Sequence, residues 1–135
     1  MEFIQYHLTE TVLLLFVLIT FLQSGIDKIT DWNGNLSWLK NHFANSPLKN
    51  MVPLLLAIVL LMELATAFCS VWGLYDVLAN NERTMALCSA TLSCVTLLML
   101  LFGQRMAKDY DGARTIVIYL VPAVLLLFFL EMEMI

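Results

Sequence analysis

Basic residues are scarce in this sequence. Seven Lys and Arg occur among 135 residues, and none falls between Lys49 and Arg83. They form no cluster, so the electrostatic footprint of a nucleic-acid-binding surface is missing. The three cysteines, Cys69, Cys88 and Cys94, include no CxxC pair. That removes the strongest sequence signal for thiol–disulfide chemistry and for a metal cluster, and no metal site is expected. The five glycines build no phosphate-binding loop, and no serine or cysteine triad is visible. The only histidines are His7 and His42, expected on opposite sides of a membrane. They cannot form a haem pair within one subunit.

What the chain does have is apolar length. It is 61% hydrophobic and 13% charged, with a mean hydropathy of +0.83. A soluble domain is closer to half apolar and a quarter charged, so the natural solvent here is lipid. Four segments, about 11–29, 52–75, 84–106 and 114–131, each approach the roughly 20 residues that cross a hydrocarbon core of about 30 Å. Backbone groups in lipid must pair internally, which makes each segment a helix. The expected fold is an all-α integral membrane protein. Residues 1–135 form one domain, a four-helix transmembrane bundle of up-down topology. The first segment reads as a span, not a cleaved leader, because no Lys or Arg precedes it and no small-x-small site follows.

Six of the seven basic residues lie at the first and third connections, and only Arg83 lies at the second. The positive-inside rule then puts those two connections in the cytoplasm and both termini outside, in a bacterial cytoplasmic membrane. The first connection carries Trp32, Leu36, Leu39 and Phe43 on one helical face. This predicts a short amphipathic helix over about 35–44, lying in the interface with Trp32 and Trp38 as anchors. Ser46 and Pro47 suit the N-cap and first position of a new helical segment, and Pro53 should kink the second span slightly. Asn80–Asn81 is the expected second turn, and Gly112 the expected hinge of the third.

The stretch "TFLQSGIDKITDW" places Thr20, Gln23, Ser24 and Asp27 at i, i+3, i+4 and i+7, a polar stripe along one face of helix 1. Such a face should look into the bundle or a wet cavity, whether for helix–helix bonding or for a ligand. Asp27 and Arg105 should arrive at one level and pair. Glu63 lies mid-span, with Thr66, Ala67 and Ser70 extending its face. No cation is expected near it, so it should be protonated and hydrogen-bonded to Ser89, Ser93 or Thr96. Small residues on the second and third spans (Ala65, Cys69 and Gly73; Ala86, Ser89, Ala90, Ser93, Thr96 and Gly103) suit close packing. Cys69 and Cys88 could share a depth on neighbouring helices. His7 and Glu10 could share an outer-face position.

Three stretches together, "FLQSGIDKITDW", Glu63 within "LLLAIVLLMELATAFCSVWG", and "LFGQRMAKDYDGA", resemble the DoxX-like family of small bacterial membrane proteins. The matches are Gly25, Lys28, Glu63, Gln104, Arg105 and Asp109, and they span nearly the whole chain. The resemblance implies a four-helix bundle linked to quinol oxidase or thiosulfate:quinone oxidoreductase systems. Without a cysteine or histidine set of its own, the chain is expected to lack independent catalysis and to bind no cofactor itself, though a quinone would suit the family. The leading expectation is an accessory subunit of a larger, redox-linked membrane assembly, partnered by the lipid bilayer and by other membrane subunits or copies of itself. The alternatives are a component that handles a quinone or another small molecule in a pocket lined by Glu63, Gln23 and Asp27, and a small transporter or proton conduit using Glu63.

Overall fold

A computed structural model of the chain describes residues 8–80 and 82–134. Its elements run α1 (Leu8–Thr30), α2 (Trp32–His42), α3 (Val52–Tyr75, continued by a π-helical turn over Asp76–Asn80), α4 (Thr84–Met106) and α5 (Tyr110–Met134). Among the described residues all regular structure is helical. Four helices, α1, α3, α4 and α5, are long and apolar enough to cross a membrane, as in a multi-pass membrane protein. His7, suggested beside Glu10, and Asn81, half of the expected turn, lie outside the described residues.

Local chemistry explains where the helices depart from the apolar pattern. α2 begins at Trp32, ahead of the expected 35, because the Asp31 side chain caps it by accepting from the Gly34 amide. Ser46 accepts from Leu48 N at 3.1 Å within a run of turns, so Ser46–Pro47 does not open a helix. α3 instead starts at Val52 with Pro53 in its first turn, where a missing N–H is harmless, so Pro53 begins the helix and does not kink it. α5 starts at Tyr110, four residues before the apolar run, because Asp109 Oδ1 accepts from Gly112 N at 2.9 Å. Gly112 therefore sits in the first turn of α5, and the tight turn is made by Lys108, whose φ is +60°.

Apolar side chains face both ways, as lipid permits. Leu14, Val17 and Phe21 of α1, Ala86, Ala90 and Leu97 of α4, and Ala123, Leu126 and Leu130 of α5 form the core. Leu61, Phe68, Phe102 and Ile118 point outward and are more than half exposed, a surface that water would penalise and acyl chains would not. In the spanning windows of α3 and α4, 39% of residues are buried, against 22% and 17% in α1 and α5. The α3–α4 hairpin is thus the centre of the bundle.

That hairpin is closed by small residues. A side chain on Gly73 would place its Cβ 2.7 Å from Ala86 Cα, so the two backbones touch here. One turn inward the Ser70 and Ser89 hydroxyls hydrogen-bond, and Ser70 also donates to Thr66 O. This antiparallel register puts Thr66 level with Ser93 and Glu63 level with Thr96, all of them buried. Ser93 and Thr96 are satisfied within their own helix, bonding Ala90 O and Leu92 O.

Candidate functional site

At the opposite end, towards α2, the helices separate around two cavities. The smaller, about 340 Å³, is lined by Thr20, Gln23, Ser24 and Asp27 of α1, with Glu63, Leu97, Leu100, Ile116 and Tyr119 across from them. The polar stripe read from the sequence therefore converges with Glu63 on one space. The larger cavity, about 660 Å³, lies under α2. Its walls are apolar side chains of α3 and α4, including Leu55, Leu56, Val59, Val95, Leu98 and Met99. Its polar lining is Lys28, Asn35, His42 and Gln104, and Trp38 and Phe43 join them.

Glu63 and Lys28 meet where these spaces adjoin. Lys28 Nζ lies 2.7 Å from Glu63 Oε1, a charge contact, and donates to Ser24 Oγ at 2.7 Å. This corrects the expectation of a Glu63 with no cation near it and bonded to Ser89, Ser93 or Thr96. Those hydroxyls are bonded elsewhere, and Lys28 supplies the cation that was not expected. The reason lies in helix geometry. Every Cα–Cβ bond tilts towards a helix N-terminus, and for Lys28, in the last turn of α1, that direction points into the bundle. A four-carbon stem then reaches Glu63, which sits about 16 Å from the start of α3 by helical rise. Gly25, one turn above Lys28, lets α1 lie against Leu64 and brings the two partners within range.

The Asp27–Arg105 pair does not form. Asp27 lines the smaller cavity, whereas the Arg105 guanidinium lies over the Tyr110 ring, 5.4 Å from its centroid. The two share a level but not a face.

His42 is the second centre of the site, considered from the sequence only as a haem ligand. Its Nε2 donates to Gln104 Oε1 at 2.8 Å and lies 3.5 Å from Asp109 Oδ2. Trp38, one turn earlier, stacks on the imidazole at 4.6 Å and 15°. Gln104 and Asp109, noted only as family matches, thus tie α2 to the α4–α5 turn. A Cβ on Gly112 would come within 2.6 Å of Asp109 Oδ2 and 2.8 Å of Gln104 Nε2, so this knot needs a glycine there. The available signal was positional. Asn35, Leu39 and His42 follow helical spacing on the half-buried face of α2, so a histidine there is a polar group facing the bundle.

The arrangement has a clear chemical capacity. An ammonium, an imidazole and an amide line a large apolar space, with a stacked aromatic pair beside the imidazole. Carbonyl or hydroxyl oxygens of an amphiphile could be held there while its tail lies along α3 and α4. Glu63 is held behind Lys28. At the far end of the bundle, Arg83 Nε approaches Glu10 Oε1 at 3.3 Å, linking α1 to the start of α4. Comparison with family models, curated proteins and solved structures finds no match to this chain.

Proposed function

We propose that the chain is a DoxX-like protein of a bacterial cytoplasmic membrane that binds a quinone-class, lipid-soluble molecule in the cavity beneath α2. In this reading α2 lies at the cytoplasmic face and both termini are extracytoplasmic, following the distribution of basic residues. The observation that carries the proposal is the larger cavity itself. At about 660 Å³ it falls within the size range of small-molecule sites, and its apolar lining carries a few polar groups, Lys28, Asn35, His42 and Gln104. A quinone has the matching form: a flat ring, oxygens that accept hydrogen bonds, and an apolar tail. The ring would lie near the Trp38–His42 stack, with the tail against Leu55, Val95 and Leu98. Leu98 and Phe102 are exposed on the outer surface of α4, which suits entry from the bilayer.

The residues at this site move and hold protons and make hydrogen bonds, so electron exchange in the cavity would fall to a partner. The protein then acts as the quinone-handling subunit of a larger oxidoreductase, which joins the accessory-subunit expectation to the small-molecule one. A proton conduit through Glu63 draws less support, because Lys28 holds that carboxylate.

The test is extraction from native membranes in mild detergent, followed by identification of bound lipids and co-purifying chains. Quinone should accompany the wild-type protein at near-stoichiometric amounts and fall to micelle background in Lys28→Ala and His42→Ala. Quinone at background level in the wild type, with phospholipid in its place, would remove the proposal.

A further inference from the structure

The end of the bundle remote from both cavities holds another pair of reactive atoms. Cys69 of α3 and Cys88 of α4 have their sulfurs 3.8 Å apart. Both are free thiols, Cys69 buried and Cys88 exposed. Their proximity is set by backbone. A disulfide needs Cα atoms about 4.4–6.8 Å apart, closer than helices held at an ordinary interaxial distance of about 8–10 Å usually allow. Here the contact of Gly73 with Ala86 draws the backbones together one turn away. The Ser70–Ser89 hydrogen bond, between the residues next to each cysteine, fixes the rotation of both helices. Cys88 lies in the second turn of α4, about 6 Å of rise from the helix start, so its sulfur is near the level at which water can take a proton. Cys94, buried and with no sulfur neighbour described, provides an internal control.

We propose that Cys69 and Cys88 are a redox-active dithiol, oxidised to an interhelical disulfide by a lipid-soluble quinone. The exposed Cys88 sulfur loses its proton and bonds to the quinone ring. Cys69 then attacks that sulfur, losing its own proton. The S–S bond forms, the bond from sulfur to the ring breaks, and the electron pair leaves with the ring. Two thiols give up two electrons and two protons; the quinone takes up both and becomes the quinol. Reduction by an external dithiol reverses the state by thiol–disulfide exchange. This chemistry uses a quinone in the bilayer and does not require the cavity beneath α2.

The experiment uses the full chain in lipid nanodiscs, reduced, freed of reductant and exposed anaerobically to decylubiquinone. Its fully substituted ring yields no stable thiol adduct by loss of a ring hydrogen. After acid quench and denaturation, thiols are counted with maleimide-polyethylene glycol. The three labels of the reduced chain should fall to one, with one quinol formed per chain. Cys94→Ala should go from two labels to none, and Cys69→Ser and Cys88→Ser should each keep two. Thiols and quinol are counted independently of any quinone retained beneath α2, which separates a failure here from a failure of the cavity proposal. Three labels retained after both decylubiquinone and copper-phenanthroline would overturn the pairing. Oxidation by copper-phenanthroline alone would overturn the quinone as oxidant.

Discussion

The two ends of the α3–α4 hairpin are built on opposite plans. Near the turn, Gly73, Ala86, Ser70 and Ser89 bring the helices into backbone contact and leave no space. Near α2, Leu56, Val59, Val95, Leu98 and Met99 of the same helices line the larger cavity. The closed end bonds the Ser70 and Ser89 hydroxyls to each other, and Arg83 at the start of α4 meets Glu10 of α1. The open end carries the Lys28–Glu63 pair and the His42–Gln104 bond, the polar groups that a ligand could use. The hairpin thus pairs a close-packed end of small residues with an end whose larger residues line a cavity.

The largest effect should come from splitting the ion pair at the open end. Lys28→Met or Glu63→Leu leaves a buried charge without its partner, and each should cost about 3–5 kcal/mol. The double variant should lose much less than the sum, as measured by SDS-unfolding midpoints in mixed micelles. Additive losses would mean that the 2.7 Å contact is not energetically coupled. At the closed end, Gly73→Val forces a side chain against Ala86 and should cost about 1–3 kcal/mol. It should also slow disulfide formation between Cys69 and Cys88 while leaving quinone binding intact. Equal damage to binding would erase the division between the two ends. Asp109→Ala removes the cap of α5 and should cost about 1 kcal/mol. Hydrogen exchange in α2 should rise with it, since Asp109 also lies beside His42. The smallest effect belongs to Asp27→Asn and Arg105→Gln. Each should stay within about 0.5 kcal/mol and the two should add, because these residues do not meet.

Hydropathy made the four spans legible, because membrane-crossing length is set by the solvent and not by packing. The start of α4 and the end of α3 agree with it. The capped starts of α2 and α5 were missed because Asp31 and Asp109 act through side-chain bonds that apolar patterning does not register. The polar stripe of α1 was legible as a face, and its meeting with Glu63 in one pocket stood only as an alternative. What spacing could not give was azimuth and reach. Asp27 and Arg105 share a level yet face different spaces, and Lys28 was placed in a connection although its stem turns back into the bundle. His42 was weighed only as a haem ligand, and its contacts with Gln104 and Asp109 join residues more than sixty positions apart. Cys69 and Cys88 lie nineteen residues apart, and only their shared depth was foreseen.

Ligand capture at the open end is tested most directly by the fluorescence of Trp38, which stacks on His42 at the cavity. With Trp32→Phe and Trp72→Phe, Trp38 is the only tryptophan left. Titrating decylubiquinone into nanodiscs of this variant should give saturable quenching at about one quinone per chain, and adding His42→Ala or Lys28→Ala should abolish the saturable phase. Quenching that grows only in proportion to quinone dissolved in the lipid, and is unchanged by either substitution, would contradict a quinone site beneath α2.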